Sequence, residues 1–396
     1  MNIAFFIEVF YPEINGVITA TLDLARNLSE RGHKVILVVP YNKHIADLEW
    51  IEGIRVVKVA SIPTFIYPGI KWTWPWSPTL FRTLHREKIE ILHFTGPWTL
   101  GFSAILYGKM YSLPIIQTFH TMLNEDTYLQ YLVKRRTFVP IVRALSWWYF
   151  GLYIRHSDVI TSPSRFAKKV LQERFPQKEI HHISNGIDVS IFKNARSFGD
   201  LQKQYPFFHR KTFLFVGRIG LEKSIDVLIQ GFSRAMHRDP DIQLLLVGDG
   251  PNRKEMERLV EALGVKARIR FLGKIPHQEL LTSGLIHHAR GFVTASVTEN
   301  QPMTVIEAIC CGLPLIVPKV SSMEELSEGN ALFFPPGDID ALGDQILQLV
   351  EDENLFTSLA AASHRLAERF DGEQIAQQFE DLYRSAINRN RKAKTS

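Results

Sequence analysis

The sequence predicts an α/β protein with two doubly wound parallel sheets in tandem. Short apolar runs alternate with longer amphipathic stretches, and this alternation pauses once, between about residues 187 and 210. The chain has 396 residues, more than one hydrophobic core usually supports. With 45% hydrophobic and 22% charged residues, its composition is that of an ordinary globular protein.

The first half alternates strands and helices in a way that favours crossover connections and a parallel sheet. Predicted strands are residues 2–7, 34–39, 54–59, 91–94, 114–118 and 159–161. Predicted helices are residues 16–30, 97–111 and 165–175.

The pattern restarts after a polar connector that is dotted with aromatic residues. Predicted strands are residues 212–216, 243–247, 269–272, 291–294 and 315–317, and predicted helices are residues 224–236, 252–263, 303–311 and 340–350. We therefore expect Rossmann-like domains over residues 1–190 and 191–372, with a cleft between them. A tail with helical spacing, residues 373–390, follows, and its basic end is expected to fray.

Charge and tryptophan are concentrated in the first half. Residues 1–190 carry 21 Lys/Arg against 15 Asp/Glu, the remainder carries 25 against 26, and all seven Trp precede residue 149. Basic residues mixed with aromatic ones indicate a membrane surface or nucleic acid. The alternative is a solvated basic face over a Trp-rich core.

Other features limit the classes of protein and site. Cys310 and Cys311 are adjacent, so they supply neither a disulfide nor a metal framework. Residues 2–7 resemble a strand rather than a signal peptide, and the longest apolar run, residues 138–154, is marginal for spanning a bilayer. We expect a cytoplasmic protein that contacts the membrane.

Polar residues follow the predicted strands of the second half, where ligands bind in such sheets. Arg218 and Lys223 lie between a strand and a helix start, an arrangement that binds anions, although ordinary surface charge at a turn would look the same. Gly248, in the segment VGDGP, lets a ligand or a backbone come close, and a simple tight turn is the alternative.

The segment 298–314 is the strongest candidate for a sugar site. Glu299 precedes a predicted helix and can accept hydrogen bonds from sugar hydroxyls, while Glu307 can hold a second hydroxyl pair such as that of a ribose. The first helical N–H groups, at Met303 and Thr304, would face a diphosphate. A carboxylate at a helix dipole and a solvated one remain the alternative.

Two residues of the first half follow strands in the same way. Gly16 lets a helix start approach a phosphate, and the absence of GxGxxG there argues against a nicotinamide dehydrogenase. His120 lies just past a buried strand, where a structural role is the alternative to a catalytic one. Asp338 and Asp340 form a D-x-D that helix capping explains better than a metal does, so no metal site is predicted.

Together these segments resemble family 4 of the retaining glycosyltransferases, which has the two-domain GT-B fold, over nearly the whole chain. Its markers are NGV with Gly16, FHT with His120, TSPSRFAKKVL (161–171), SNGID (184–188), VGRIGLEKSID (216–226), VGDGP, and Glu299 with Glu307 as E-x7-E.

The resemblance implies a role for each marker residue. Arg218 and Lys223 would bind the donor diphosphate, Glu299 the sugar hydroxyls and Glu307 the ribose side. His120 would contact the donor sugar near the reacting carbon. The resemblance also implies that the last helix packs back on the first domain. The donor would be a nucleotide-sugar, with no cofactor.

Within that family, the first half is similar to bacterial diacylglycerol glucosyltransferases. FHTMLNEDTYLQYL (119–132) carries this likeness, followed by a basic aromatic stretch with ten Lys/Arg and two acidic residues over 127–178. That stretch fits an interfacial anchor, and 70–78 is a candidate second contact loop. The expected membrane and acceptor residues are Lys134, Arg135, Arg136, Arg143, Trp147 and Trp148.

The predicted reaction moves a hexose, glucose, from a UDP-sugar to a lipid such as 1,2-diacylglycerol, with retention, at the inner face of the cell membrane. Nucleic acid is not an expected partner. Pro302 and Ser224 stand where related enzymes often carry Gly. The alternatives are a soluble or other lipid acceptor (polyol, phosphatidylinositol or glycan), an epimerase or phosphorylase, and a non-enzymatic protein that binds membranes or nucleic acid.

Overall fold

The computed structural model describes residues 1–12, 15–64, 70–120 and 136–395, which fall into two compact units. Unit 1 contains the described residues up to Ile187 and those from Gly372 onward, and unit 2 contains Asp188–Asp371. Each unit has its own parallel sheet and its own hydrophobic core. The predicted α/β class with two Rossmann-like domains is confirmed.

The strands are numbered in chain order. They are β1 (Asn2–Phe6), β2 (Lys34–Pro40), β3 (Trp50–Ile51), β4 (Ile54–Val59), β5 (Ser61–Pro63), β6 (Lys71–Thr73), β7 (Ile91–Phe94), β8 (Ile115–Thr118), β9 (Val159–Ser162), β10 (Ile180–His182), β11 (Thr212–Val216), β12 (Gln243–Val247), β13 (Ile269–Gly273), β14 (Gly291–Val293), β15 (Leu315–Pro318) and β16 (Ala331–Phe334).

The α-helices are numbered in the same way. They are α1 (Gly16–Glu30), α2 (Pro78–Arg86), α3 (Thr99–Tyr111), α4 (Val139–His156), α5 (Arg165–Arg174), α6 (Phe198–Gln204), α7 (Ile225–Met236), α8 (Arg253–Ala262), α9 (His277–Thr282), α10 (Leu285–His288), α11 (Met303–Cys310), α12 (Ser321–Leu326), α13 (Ile339–Glu351), α14 (Glu353–Ala367) and α15 (Gly372–Thr395).

In unit 1 the large sheet has the order β10-β9-β8-β7-β1-β2-β4-β3, and its strands pair in parallel except β3 with β4, while β5 and β6 form a separate antiparallel pair. The order reverses at β1, which lies between β7 and β2. Helices α1 and α15 pack on one face, and α3 packs on the other. The expected fraying of the last residues is wrong, because α15 runs to Thr395 and its basic end forms ion pairs of Arg389 with Glu179 and of Arg391 with Glu90.

In unit 2 all six strands are parallel, in the order β13-β12-β11-β14-β15-β16. The order reverses at β11, between β12 and β14. The connector is more regular than its composition suggested, since it contains α6, whose first turn is capped by Ser197. Asp338 caps α13 by accepting a hydrogen bond from the Ala341 N–H at 2.9 Å, as its spacing predicted.

Candidate functional site

The loops that follow β11 and β14 meet at the point where the strand order of unit 2 reverses. Lys223, in the first loop, forms an ion pair with Glu299, in the second. The Ser296 hydroxyl donates a hydrogen bond to Glu299 Oε1 at 3.0 Å. A cation and a carboxylate from distant sequence positions therefore lie together where ligands of such sheets bind.

Backbone contacts hold the same two loops together. The Thr298 hydroxyl donates to the carbonyl oxygen of Glu222 at 3.2 Å, and the Ser296 hydroxyl oxygen lies 3.3 Å from the same carbonyl oxygen. Arg218 Nη1 lies 4.0 Å from the Glu222 carboxylate, and its side chain is 37% exposed. We call these two loops the rim of the candidate site. The rim carries two cations, Arg218 and Lys223, each with a carboxylate nearby.

Gly248 supports this rim through the backbone. A Cβ atom at Gly248 would lie 1.9 Å from the carbonyl oxygen of Gly217, the residue before Arg218. The Gly217 N–H donates to Val247 O at 2.9 Å, and the Ile219 N–H donates to Asp249 O at 3.0 Å. The sequence predicted that either a ligand or a backbone segment comes close to Gly248. In the structure a backbone segment, at Gly217, lies close to it.

Ser224 adopts a left-handed conformation, with φ 48° and ψ 46°, directly before α7. Glycine reaches this region without steric cost, which is the physical reason for the glycine that related enzymes often carry there. The turn fixes the start of α7 immediately after Lys223.

The E-x7-E segment places its second carboxylate inside unit 2. Met303 and Thr304 open α11, and the first N–H groups of a helix have no intrahelical partner. Glu307 is only 2% exposed. Its Oε1 lies 2.8 Å from His277 Nε2, and its Oε2 has no hydrogen-bond partner among the residues that the structure describes. A buried carboxylate oxygen of this kind can accept a hydrogen bond from a group that enters the site.

His277 was not found from the sequence, although it follows β13 as the other candidates follow their strands. The loop before it, residues 274–276, is short and matches no motif that binds a nucleotide or a sugar. Cys310 lies near Glu307, and burial, followed by the charges of Glu307 and Asp371, raises the pKa of its thiol to about 12. The thiol therefore stays protonated and is not a nucleophile at neutral pH.

In unit 1, Gly16 and His120 follow β1 and β8. Gly16 is the first residue of α1, whose N-cap is Asn15, and the Asn15 side chain accepts a hydrogen bond from the Ile18 N–H. Burial lowers the pKa of His120 to about 4, so its imidazole is neutral at pH 7. His120 lines a small cavity together with His93, Thr95, Thr118, Ser184 and Asn185.

A buried chain of hydrogen bonds lies next to this cavity. His93 Nδ1 is 2.6 Å from the Tyr383 hydroxyl, and His93 Nε2 is 2.6 Å from the Thr118 hydroxyl. Thr118 continues to the hydroxyl of Thr161, also at 2.6 Å. Burial, followed by the proximity of His120, lowers the pKa of His93 to about 3. The chain joins α15 to β7, β8 and β9 two residues before His120.

Glu8, which follows β1, caps α3. Its carboxylate accepts hydrogen bonds from the N–H groups of Gly101 at 2.7 Å and Leu100 at 3.3 Å. Burial raises the pKa of Glu8 to about 8, and these backbone hydrogen bonds oppose the rise. The contact joins residues that are more than 90 positions apart, which sequence spacing does not reveal.

The residues expected at the membrane divide into three groups. Lys134 and Arg135 lie outside the described residues, and Arg136 opens the 3-10 turn before α4. Arg143 is half-buried and Trp148 is 61% exposed. The expectation for Trp147 is corrected: this residue is buried, because α4 turns its indole inward, where the Arg174 guanidinium lies 4.5 Å from the ring centroid.

The outer face of α4 is apolar. Its exposed residues Phe138, Ile141, Leu145 and Trp148 recur at intervals of three to four, so they form one stripe along the helix and the turn before it. Across the described part of the chain, no helix is long and apolar enough to cross a membrane. The same residues contain no group of three or more His, Cys, Asp or Glu placed to hold a metal ion.

Two family models match the chain. Residues 14–191 match Glycosyltransferase Family 4, and residues 200–366 match Glycosyl transferases group 1.

Curated relatives align over nearly the whole chain. The alpha-monoglucosyldiacylglycerol synthases of Streptococcus pneumoniae and Acholeplasma laidlawii are 22% and 25% identical, over 98% and 99% of this chain and 87% and 99% of theirs. The N-acetyl-alpha-D-glucosaminyl L-malate synthase of Bacillus anthracis is 26% identical over 97% of both chains.

Solved structures share the fold. Anabaena HepE in complex with UDP-glucose matches with a TM-score of 0.75 at 18% identity, over 97% of this chain and all of that chain. Sucrose-phosphate synthase from Thermosynechococcus elongatus matches with a TM-score of 0.78 at 21% identity, over 98% of this chain and all of that one. The chain therefore belongs to the glycosyltransferases with the GT-B fold, with a family 4 N-terminal half and a group 1 C-terminal half.

Proposed function

We propose that the protein is a retaining hexosyltransferase that moves glucose from UDP-glucose to a membrane lipid such as 1,2-diacylglycerol, at the inner face of the cell membrane. The observation that carries this proposal is the cluster of Arg218, Lys223 and Glu299 at the strand-order reversal of unit 2. The relatives named as glucosyldiacylglycerol synthases and the UDP-glucose complex of HepE support the choice of acceptor and donor.

The donor half is assigned from the contacts of unit 2. Arg218 and Lys223 bind the diphosphate, helped by the N–H groups at Met303 and Thr304. Glu307 accepts a hydrogen bond from a ribose hydroxyl on its unpartnered Oε2. Burying that oxygen without a partner costs about 1–3 kcal/mol, and a ribose hydroxyl would recover part of this.

Glu299 accepts hydrogen bonds from the sugar hydroxyls. Its carboxylate contacts Lys223 in this structure, so donor binding would exchange a carboxylate–ammonium contact for a phosphate–ammonium contact. The two cations stabilise the diphosphate as charge develops on it, an electrostatic role.

In the proposed reaction the bond from the anomeric carbon to the diphosphate breaks, and a bond to the acceptor oxygen forms on the same face. The acceptor proton passes to the departing diphosphate, and UDP leaves. The role that the resemblance gives His120, contact with the donor sugar, would be played by a neutral imidazole, since its pKa is lowered to about 4. A neutral ring exchanges hydrogen bonds but adds no positive charge.

The lipid acceptor is supported by the surface of α4. Its exposed apolar stripe lies in a segment, residues 127–157, that contains five Lys/Arg and no Asp or Glu. Apolar side chains within a segment that has an excess of cations in its sequence are typical of a face that lies on an anionic membrane.

Donor binding is tested by calorimetry with UDP. Arg218→Ala and Lys223→Ala should each weaken UDP binding about tenfold or more, the loss expected for one charge-assisted contact. Lys254→Ala, which removes an exposed cation of α8, is the matched control and should bind UDP normally. Unchanged UDP affinity in both site variants would refute the phosphate assignment.

The acceptor is tested by incubating the protein with UDP-glucose and vesicles that contain 1,2-diacylglycerol. Mass analysis should find a monoglucosyl lipid. Transfer of an N-acetylglucosaminyl group to L-malate is the second candidate, favoured by the name of the Bacillus anthracis relative, and incubation with L-malate and an N-acetylglucosaminyl donor in place of lipid would reveal it. Transfer to the soluble acceptor, together with no glucosyl lipid in the incubation with vesicles, would refute the lipid acceptor.

A further inference from the structure

Exposed large apolar side chains are distributed unevenly over the described residues. Thirteen of the fifteen belong to unit 1, and only Leu221 and Leu263 belong to unit 2. The stripe on α4 accounts for four of them. A second concentration lies on the β5–β6 hairpin and the residues that follow it, in a different part of the sequence. Exposed apolar patches of this kind mark interaction surfaces.

The hairpin presents one apolar face to solvent. Ile62 and Trp72 are opposite each other across the antiparallel pair and are 61% and 46% exposed. Trp74 and Trp76 continue the pattern at 71% and 55%. Side chains alternate along a strand, so Thr73, between two exposed tryptophans, points to the other face, where it is fully buried.

Thr73 fixes the hairpin to the body of unit 1. Its N–H donates to the Thr99 hydroxyl at 3.0 Å, and the two hydroxyls lie 2.7 Å apart. Thr99 is the first residue of α3, and the preceding Trp98 packs beside Tyr149 of α4, with ring centroids 6.2 Å apart. The tryptophans are therefore held outward by buried hydrogen bonds on a rigid support that also touches α4.

The charge of the segment identifies the kind of partner. From residue 53 to residue 86 the chain has five Lys/Arg and no Asp or Glu. Protein-binding surfaces use aromatic anchors too, but they have no requirement for one sign of charge. Glu87, which follows the segment, pairs with Arg55 and Arg86, so Lys58, Lys71 and Arg82 remain as its excess positive charge. Tryptophan is enriched at the depth of lipid headgroups, and an excess of cations favours anionic lipids.

We infer that the β5–β6 hairpin, with Ile62, Trp72, Trp74 and Trp76, is a second element that enters the headgroup region of an anionic lipid bilayer, separate from α4. The inference deepens the proposed function and rests on it, because a lipid acceptor requires the enzyme to lie on the bilayer. Two contacts on one unit would restrict its orientation there, whereas a single helix would let it pivot.

The test is binding to vesicles of phosphatidylcholine with and without phosphatidylglycerol. The combined variant Trp72→Ala, Trp74→Ala, Trp76→Ala should bind the anionic vesicles at least about tenfold more weakly than the parent chain, since several large apolar side chains no longer leave water. Trp74→Ala alone should show a smaller loss in the same direction and keeps the inference testable if the combined variant misfolds.

Trp50→Ala is the matched control. Trp50 is 59% exposed and belongs to the same unit, but it pairs with Arg55 near the amino end of β4, whereas the hairpin follows the carboxyl end of that strand. Its removal should leave vesicle binding unchanged. Equal losses from Trp50→Ala and Trp74→Ala, or no loss from the hairpin variants, would overturn the inference.

UDP binding on the same variants separates the two proposals. Hairpin variants should bind UDP like the parent chain, because the donor cluster belongs to unit 2. Normal UDP binding with vesicle binding unaffected by the hairpin would overturn this inference alone. A parent chain that binds vesicles but not UDP would instead refute the UDP-glucose donor of the proposed function.

Discussion

Two side chains of unit 2, Lys223 and Glu299, hold each other in place at the candidate site. Lys223 and Glu299 neutralise each other, and Ser296 adds a hydrogen bond to the carboxylate. An ammonium and a carboxylate attract strongly at the edge of a protein, with an energy on the order of a few kcal/mol before solvation is deducted. The pair therefore keeps Lys223 in place and also competes with any phosphate for its charge.

This competition predicts an unusual result for Glu299→Gln. Removing the carboxylate charge leaves the Lys223 ammonium to the diphosphate, so UDP should bind as tightly as before or several-fold more tightly, by about 0.5–1 kcal/mol. Glucose transfer should nevertheless fall, because the amide is a weaker acceptor for the sugar hydroxyls. Calorimetry with UDP and a turnover assay measure the two effects.

Glu257→Gln is the control for that change. Glu257 pairs with Arg253 on α8, so the substitution removes a carboxylate–cation contact elsewhere in unit 2. Neither UDP affinity nor turnover should change. Weaker UDP binding in Glu299→Gln would contradict the competition and would indicate that the ion pair instead shapes the phosphate site.

Elements of unit 2 are positioned by backbone-to-backbone approach as much as by side chains. The loop after β11 carries Arg218 and is hydrogen-bonded to the loop after β12 at two positions. Both Gly248 and Gly250 lie where a Cβ would collide with a carbonyl of the Arg218 loop, Gly217 O and Ile219 O respectively. The two loops thus form one rigid support whose contact surface is bare backbone.

Gly248→Ala should test that support. Gly248 has φ 136°, and the added Cβ would lie 1.9 Å from Gly217 O, so the loop must move. We expect a loss of about 3 kcal/mol of unfolding free energy and weaker UDP binding through the displaced Arg218. Chemical denaturation and UDP calorimetry provide the readouts.

Gly264→Ala is matched to it in backbone strain. Gly264 also has a positive φ, 72°, but no atom lies within 4 Å of its added Cβ. Its cost should be only that of the left-handed conformation, about 1 kcal/mol, with normal UDP affinity. If both substitutions lower the free energy of unfolding equally and leave UDP affinity unchanged, the close approach of the loops does not position Arg218.

At the scale of the whole molecule, a buried histidine makes the stability of unit 1 depend on pH. Unit 1 buries His93 between α15 and the sheet, and its folded-state pKa of about 3 lies below the ordinary value of 6.5. Between pH 6.5 and 3, His93 is protonated in the unfolded chain but neutral in the folded chain. The free energy of unfolding therefore decreases as pH falls from 6.5 toward 3. The slope for one such group is about 1.4 kcal/mol per pH unit.

His93→Gln should flatten this acid limb, since glutamine has no proton to take up. All seven Trp belong to unit 1, so denaturation followed by Trp fluorescence at pH 7, 6, 5 and 4 reports on that unit. The variant should be less stable than the parent at pH 7 and should lose less stability on acidification. The control His237→Gln changes an exposed histidine and should keep the parent's pH dependence of stability. If His93→Gln loses as much stability on acidification as the parent, His93 is not the cause of that loss.

Much of the fold was predictable because it rests on local patterns. Eleven of the fourteen strands in the two large sheets, all except β3, β10 and β16, and the helices α1, α3, α7 and α13 coincide with apolar periodicity and its punctuation. Short elements such as β3, β5, β6 and α6 were missed, since two to seven residues carry too little periodicity to stand out. Trp147 shows the same limit: its residue type suggested a surface anchor, but which face of α4 turns inward depends on neighbours far along the chain.

The sequence by itself determined the two doubly wound domains and the candidate positions that follow their strands, because turn chemistry and period are local. Only the tertiary structure decided which charges meet. The Lys223–Glu299 pair, the His277 contact of Glu307 and the Glu8 cap of α3 join residues that are 30 to 93 positions apart. Such contacts depend on strand order, and strand order results from the packing of the whole sheet rather than from any single segment.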